Sequence, residues 1–408
     1  MNVRGETRAG ICGIVGYALS TGFAAVGSLL IPPLVALLAI VAVPLDREFW
    51  RFREFPWALA GALAFLAWAL LSFLWSPYDN PEQILKTGFG IPLYILFAVR
   101  MGQLGNGWRR RVEAMMIFMV VTLGLILLSE ALMGGYVTRS FKMLDPFFAE
   151  MTRADVDEFV FRNLGHAAVP LILMSVPVSL IAWRAGGPVI GVVVMIFAAI
   201  AAFSFRTEVN AAAFLLASVA AGLAMVWPRA MVVFVFGASA GLVLVLPLIA
   251  PALIEVVPDG LRQALPDSWD YRLDIWAFVG ERIREQPWFG YGFNASRPLN
   301  DELFIVVGDT VHNVEALPLH PHNATLQIWL ETGAVGAGLL AGTLIALGGR
   351  IAGAIQLSRL QAVGAVWVLV VYVALIVFSY GVWQEWHQGT VALAAASVLF
   401  LGARKPVR

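Results

Sequence analysis

The sequence predicts an all-α fold of the polytopic integral membrane class. Of its 408 residues, 60% are hydrophobic and 13% are charged, and the mean hydropathy is +0.81. The apolar residues form many stretches of about 20 residues, the length that an α-helix needs to cross a bilayer. Because backbone groups in lipid must be satisfied within the helix, this composition excludes a soluble multidomain enzyme.

The apolar stretches predict about 12 transmembrane helices. They cover residues 11–28, 30–45, 56–75, 84–99, 112–132, 166–183, 188–205, 209–227, 230–250, 323–348, 362–380 and 389–403. Pro32 and Pro33 interrupt the first apolar region, so its two spans could instead form one re-entrant element. Either interpretation gives the later spans the same inside–outside orientation.

The distribution of Lys and Arg orients these spans. Cytoplasmic loops retain positive charge, and most of the 27 basic residues fall on the side of the N-terminus. We therefore predict cytoplasmic termini and two long outer loops, at about 133–165 and 251–322. The chain divides into an N-terminal bundle (1–250), a large outer loop with amphipathic helices (251–322) and C-terminal helices (323–408), which form one integrated membrane domain.

Composition also narrows the function classes. The net charge is zero and no long basic run is present, so the sequence does not indicate nucleic-acid binding. A transporter needs ionisable groups near the middle of the membrane, whereas the polar residues of this chain collect on its outer side. These observations favour chemistry at the outer membrane surface.

Two outer arginines are candidates for binding phosphate. Arg206 lies in a short turn with Glu208 between two spans, and Arg272 precedes Trp276 by one turn on a predicted amphipathic loop helix. A snorkelling anchor remains the alternative for Arg206, and a solvated ion pair remains the alternative for Arg272. A guanidinium fork suits phosphate, and each contact at roughly 4 Å is worth about 4 kcal/mol before desolvation at an interfacial dielectric. Two arginines could therefore hold a diphosphate without a metal.

Two histidines flank Pro321 at the end of the large loop. A metal site is not expected at His320 and His322, because no Cys or close carboxylate completes a ligand set. His322 directly precedes Asn323 and an apolar helix, where an imidazole that titrates near neutrality suits a general base. A packed or solvent-facing histidine is the alternative.

A further polar group lies at the start of the sixth span. Arg162 precedes Asn163 and His166 there, and we regard Arg162 as a secondary candidate for shaping a sugar pocket. The Gln384-Glu385-Trp386-His387 run between the last two spans is a second candidate of this kind. Interfacial anchoring is the alternative for both groups, and the favoured one.

These motifs resemble the O-antigen ligase and polymerase superfamily of bacterial envelope glycosyltransferases. The resemblance covers the large outer loop and the following helix, and the twelve-span layout fits the rest of the chain loosely. It is carried by Arg272 and Trp276, by Pro287-Trp288-Phe289-Gly290-Tyr291-Gly292-Phe293-Asn294, and by His322-Asn323-Ala324-Thr325-Leu326-Gln327 with Glu331, Gly333 and Gly336. The family often has Ser-Arg at its first active-site arginine, whereas here Phe205 precedes Arg206.

The resemblance implies a GT-C-like fold and glycosyl transfer in lipopolysaccharide biosynthesis at the periplasmic face of the bacterial inner membrane. The donor would be a glycan on undecaprenyl diphosphate, and the acceptor would be the lipid A-core. His322, Arg206 and Arg272 would be catalytic, with the two arginines binding the diphosphate. Trp276, Asn323, Arg162 and His320 would line the substrate site, with no metal or cofactor.

Two alternatives to a ligase remain. A polymerase of the same superfamily would use the same donor but a second lipid-linked glycan as acceptor, and the 133–165 loop, with Arg139, Lys142, Arg153 and Arg162, fits that alternative. A polysaccharide or lipid transporter is the other alternative.

Overall fold

The computed structural model describes residues 3–44, 56–299, 302–307, 310–354 and 357–402. Most of this part of the chain is helical. The α-helices are α1 (Val3–Ala25), α2 (Ile31–Ala42), α3 (Pro56–Leu71), α4 (Glu82–Gly102), α5 (Asn106–Leu132), α6 (Tyr136–Lys142), α7 (Arg153–Arg184), α8 (Pro188–Ser204), α9 (Glu208–Val226), α10 (Pro228–Glu255), α11 (Asp259–Arg262), α12 (Asp267–Glu285), α13 (Ala324–Ala352), α14 (Arg359–Phe378) and α15 (Glu385–Phe400). Short 3-10 helices follow α3 (Ser72–Trp75) and α6 (Pro146–Phe148).

A small hairpin in the large loop departs from the all-α expectation. Strands β1 (Glu302–Val307) and β2 (Thr310–Glu315) pair antiparallel, with Glu302 opposite Glu315. The strand segments are rich in β-branched residues, which favour extended backbone. The helical prediction holds for the membrane body, and the hairpin was missed because its apolar run is only a few residues long.

All twelve predicted spans fall on helices. Eight of these are long and apolar enough to cross a membrane: the helix through Trp57–Trp75, together with α4, α5, α7, α9, α10, α13 and α14. Helices α2 and α8 are shorter apolar helices, so the number twelve stays a prediction. The chain is thus built as a polytopic membrane protein. The basic residues predicted to be cytoplasmic within 45–55 and 403–408 lie outside the described residues.

Helix α7 is the most enclosed of the candidate spans and packs against α8, α14 and α15. Trp367 on α14 donates its indole N–H to the Ile172 carbonyl of α7 at 2.8 Å, inside the main apolar core. At one end of α7, the Arg184 guanidinium donates to Glu113 of α5 at 2.8 Å and to the Phe400 carbonyl of α15 at 2.7 Å. These bonds join α5, α7 and α15 at the end of the bundle opposite the α8–α9 turn.

Helix α12 packs on the bundle through its apolar stripe. Ile275 and Val279 are fully buried in a second core cluster, and α12 contacts α10 and α13. A Cβ added to Gly280 would come within 2.4 Å of the Pro251 ring, so α12 and α10 are in close contact. The sequence left open whether this helix lies on the membrane or on the bundle, and the structure places it on the bundle.

Helix α13 consists of two helical segments that meet at Gly333. This glycine has φ 63° and ψ −169°, a backbone conformation that is essentially restricted to glycine. The amides freed by the break donate to the loop after α12: Ala334 N–H to the Pro287 carbonyl at 2.8 Å, and Val335 N–H to the Trp288 carbonyl at 3.3 Å. The loop therefore completes the hydrogen bonding of a broken helix, as buried backbone requires.

Candidate active site

Arg206 lies in the turn that joins α8 to α9. Its φ is +53°, the left-handed region that non-glycine residues rarely adopt. Phe205 beside it is buried, whereas the Arg206 side chain is exposed and places its Cζ atom 4.7 Å from the centroid of the Phe161 ring on α7. Asn210 holds the turn against α7 by donating to the Gly165 carbonyl at 3.0 Å. The turn thus presents a guanidinium at the surface from a fixed, strained backbone.

Arg272 lies on α12 and faces the α8–α9 turn. Its Cζ atom is 4.8 Å from the centroid of the Trp269 ring, and the side chain is half-buried. Burial lowers the pKa of Arg272, and the negative charge of Glu208 acts in the opposite direction. Glu208 is two residues from Arg206, so this electrostatic contact brings the two candidate arginines to one region of the protein.

Neither candidate arginine forms a salt bridge in the described part of the chain, although the charge of Glu208 acts on Arg272. Among the residues described, no ion pair involves Arg206 or Arg272, whereas Arg262 on the same loop pairs with Asp270 and Asp274. An arginine that lacks a protein anion keeps its donors available for a ligand anion.

The loop 320–322 is held by two contacts. Trp276 on α12 donates its indole N–H to the Pro321 carbonyl at 2.9 Å, and the His322 backbone N–H donates to His320 Nδ1 at 3.1 Å. His322 also has a φ of +53°. Trp276 therefore positions the histidine loop relative to α12, which is a different role from the predicted contact with substrate.

His322 has one ring nitrogen engaged and one available. Its Nδ1 lies 2.8 Å from the Ser379 carbonyl at the end of α14. A carbonyl only accepts, so Nδ1 carries the proton and Nε2 has the free lone pair. Burial lowers the pKa of His322 below the ordinary 6.5, the bond to Ser379 raises it, and the charge of Arg272 lowers it. The ring is thus neutral at neutral pH, as a general base must be.

His320 supports His322 rather than competing with it. Because His320 Nδ1 accepts the His322 amide, its own proton is on Nε2. Burial lowers the pKa of His320 to about 3, and the neighbouring charges of His322, Arg297 and Arg272 act in the same direction. A protonated His320 would lose the bond to the His322 amide, so the neutral form holds the strained loop.

Asn323 caps a helix, and Arg162 lies at the surface of α7. Asn323 is 1% exposed, and its Oδ1 caps α13 by accepting from the amides of Thr325 at 3.0 Å and Leu326 at 3.2 Å. Arg162 is exposed on α7, with its Cζ atom 4.5 Å from the centroid of the Phe159 ring. The structure therefore brings Arg272 to His322 and to the Arg206 turn, with Asn323 as a helix cap beneath them.

The Glu331 side chain on α13 binds residues of the large loop below the candidate site. Its fully buried carboxylate accepts hydrogen bonds from the Asn294 backbone N–H at 2.9 Å and the Gln327 side chain at 3.0 Å. It also accepts from Ser296 and Trp383. Four donors compensate a buried carboxylate that would otherwise be costly. In the part of the chain that the structure describes, no group of three or more His, Cys, Asp and Glu side chains could hold a metal ion.

The comparison with protein families covers the elements that build this site. Residues 170–341 match the O-antigen ligase family model. The matched region contains Arg206, Arg272 and His322, together with Glu331 and the break at Gly333. Arg162 lies outside it.

Curated relatives of the chain carry the name "Putative polysaccharide ligase". The protein of Rickettsia typhi is 33% identical over 149 residues, which are 35% of this chain and 35% of the relative. The protein of Rickettsia prowazekii is 32% identical over 146 residues, 35% of each chain, and that of Rickettsia bellii is 34% identical over 158 residues, 37% of this chain and 36% of the relative. The chain spans about a third of the length of the relatives it matches. No solved structure gives a significant match.

Sequence reasoning found only part of the candidate site. Trp276 and Asn323 were recognised, but their supporting roles depend on contacts that spacing does not show. Gln384 was recognised only within a run that is a secondary candidate for shaping a sugar pocket, and Asn294 only within the motif that carries the family resemblance. The available signal was the Gln384-Glu385-Trp386-His387 run between the last two helices, which interfacial anchoring also explains.

Proposed function

We propose that the protein is an inverting glycosyltransferase of the O-antigen ligase type. It transfers a glycan from undecaprenyl diphosphate to the lipid A-core oligosaccharide at the periplasmic face of the bacterial inner membrane, with both termini cytoplasmic. The observation that carries the proposal is the proximity of a neutral His322 to Arg272: among the described residues, His322 Nε2 has no hydrogen-bond partner and Arg272 forms no ion pair. The O-antigen ligase match over 170–341 supports the substrate class.

Arg206 and Arg272 act on the leaving group. When the bond from the anomeric carbon to the diphosphate oxygen breaks, negative charge develops on the diphosphate. Two guanidinium groups fixed beside it stabilise that charge more in the transition state than in the bound donor. The exposed Phe203, one turn before the Arg206 turn, continues an apolar surface along which a polyprenyl chain can lie in the bilayer.

His322 acts on the nucleophile. Its Nε2 takes the proton of an acceptor hydroxyl as that oxygen forms a bond to the anomeric carbon. The electron pair of the broken bond leaves with the diphosphate, so atoms and charges balance without a metal or a covalent enzyme intermediate. A single displacement inverts the configuration at the anomeric carbon.

The decisive experiment reconstitutes the reaction. The purified protein in lipid nanodiscs receives a preassembled undecaprenyl-diphosphate glycan and lipid A-core, and products are separated by gel and identified by mass spectrometry. We expect glycan attached to lipid A-core in one step, with the same yield in EDTA. A longer lipid-linked glycan with unmodified lipid A-core would instead identify a polymerase, and activity that requires added zinc or magnesium would contradict the metal-free mechanism.

The pH dependence of the reaction tests the base. Because burial lowers the pKa of His322 below 6.5, the imidazole stays neutral as the pH falls to that value and becomes protonated only at lower pH. We therefore expect kcat/KM to be constant through neutral pH and to fall on an acid limb whose midpoint lies below 6.5. Size-exclusion chromatography at each pH controls for unfolding. A midpoint above 6.5 would assign the base to another group.

A further inference from the structure

A polar cavity lies on the side of His320 away from its bond to the His322 amide. Its volume is about 220 Å³, and its wall includes Gln83 from α4, Arg297 from the large loop, and Gln384, Glu385 and Trp386 around the start of α15. His320 forms part of the same wall. The centroids of the His320 and His322 rings are 4.4 Å apart, so the cavity begins one imidazole away from the proposed base.

The cavity wall combines hydrogen-bond donors and acceptors. Gln83 Nε2 donates to Glu385 Oε1 at 3.0 Å, which orients an amide and a carboxylate side by side and leaves Gln83 Oε1 and Glu385 Oε2 for other partners. Asn294, 4% exposed, lines the cavity with a side-chain nitrogen that has no hydrogen-bond partner among the described residues. A buried polar atom of this kind needs a ligand or water to satisfy it.

Gln384 is a second residue of the cavity wall with a buried polar atom that the described residues leave unpartnered. Its Nε2 lies 3.1 Å from His320 Nε2, and its Oε1 is buried without a partner in the described structure. His320 Nε2 carries a proton, so the bond forms when the Gln384 amide is turned to present its oxygen. Whichever way the Gln384 amide is turned, its second polar side-chain atom has no partner among the described residues and can bind a ligand.

This chemistry fits a sugar ring. Vicinal hydroxyls both donate and accept, so they pair with amides and a carboxylate placed side by side, and the Trp383 and Trp386 indoles offer apolar surface for C–H groups. The Glu385 carboxylate disfavours a phosphate in the same place, although Arg297 is present.

We propose that this cavity binds a sugar residue of the acceptor oligosaccharide, adjacent to the residue whose hydroxyl is glycosylated. The inference rests on the proposed function. In a single displacement the acceptor approaches the anomeric carbon opposite the leaving diphosphate. With the diphosphate at the two arginines, His322 lies between the donor and the acceptor, and the acceptor chain continues past His320 into the cavity.

Binding and kinetics together test the assignment. The probe is lipid-free core oligosaccharide from the source organism, titrated calorimetrically into the protein in nanodiscs without donor, and the KM values for acceptor and donor are measured in parallel. The variants are Gln83→Ala, which removes one arm of the amide–carboxylate pair, and Glu385→Gln, which keeps shape and volume. The matched control is Glu82→Ala, because Glu82 is the exposed neighbour of Gln83, does not line the cavity and forms an ion pair with Lys86 at 2.6 Å.

We expect each cavity variant to raise the Kd for the oligosaccharide and the KM for the acceptor about tenfold, as loss of a hydrogen bond to a ligand does. The donor KM and the Glu82→Ala values should match wild type. The assignment is overturned if neither variant weakens binding, if Glu82→Ala weakens it equally, or if only the donor KM rises. If wild type binds the oligosaccharide but transfers nothing, the proposed function fails and the cavity assignment stands. If it transfers glycan but does not bind the oligosaccharide, the proposed function stands and the cavity assignment fails.

Discussion

Replacing Arg272 with alanine is expected to lower kcat for glycan transfer by about 10²–10³-fold, the usual effect of losing one preorganised donor to a developing charge. The physical reason is that Arg272 is half-buried on α12, beside His322 and near Glu208, and has no carboxylate partner in the described structure. Arg206→Ala should have a similar effect. Lysine should restore little activity at either position, because an ammonium lacks the bidentate fork.

The matched control for this prediction is on the same helix. Arg284 is exposed in the last turn of α12, so Arg284→Ala changes the charge by the same amount without reaching the site. Both variants should elute from size-exclusion chromatography as wild type does, and only Arg272→Ala should lose transfer in the reconstituted assay. Full activity of Arg272→Ala, or an equal loss in Arg284→Ala, would remove Arg272 from the mechanism.

The membrane fold could be predicted well from the sequence because a span needs only length and hydropathy. All twelve predicted stretches fall on helices, and eight of these helices have the length and composition of membrane spans. The hairpin at 302–315 and the break in α13 could not be predicted in this way. Both depend on the backbone conformation of a few residues, and a hydropathy average over a longer window does not detect features that short.

The candidate site was only partly predictable. Residue type and position in the topology indicated Arg206, Arg272 and His322, since a guanidinium or imidazole at a membrane surface is chemically informative. The left-handed backbone of Arg206 carried no sequence signal, because arginine rarely adopts it; histidine adopts it more often, but nothing in the spacing singled out His322 for it. Strained non-glycine residues concentrate at functional sites, so their coincidence with two independently predicted residues supports the proposed assignment.

The cavity beside His320 could be predicted only in part, for another reason. Its amide–carboxylate pair joins Gln83 to Glu385 across 302 positions of the chain. The sequence marks Glu385 within a secondary candidate for a sugar pocket but gives no sign of Gln83, and only the packing of α4 against α15 brings the two together. Spacing arguments detect sites within one element, whereas this site is made by the tertiary fold.

Replacing Gly333 with alanine is expected to destabilise the protein by about 3 kcal/mol or more, the range for strain at a glycine-only conformation combined with a buried clash. At φ 63° and ψ −169° an alanine is strained, and its Cβ would lie 2.3 Å from the Trp288 carbonyl oxygen. Relieving the clash would push the 287–292 loop away from α13 and break the bonds that Ala334 and Val335 make to it. The same loop continues to Asn294, which lines the cavity beside His320 and whose backbone N–H donates to Glu331. We therefore expect activity to fall together with stability.

The control for this prediction lies five positions further along the same helix. A Cβ added to Gly338 meets nothing within 4 Å, so Gly338→Ala should be neutral or slightly stabilising because alanine favours a helix. Thermal unfolding in detergent, followed by fluorescence-detected size exclusion, compares the two variants with wild type. We expect a clearly lower midpoint or loss of folded protein for Gly333→Ala only. An unchanged midpoint for Gly333→Ala would show that α13 can continue without the break, and the loop would then not need the glycine to complete its hydrogen bonds.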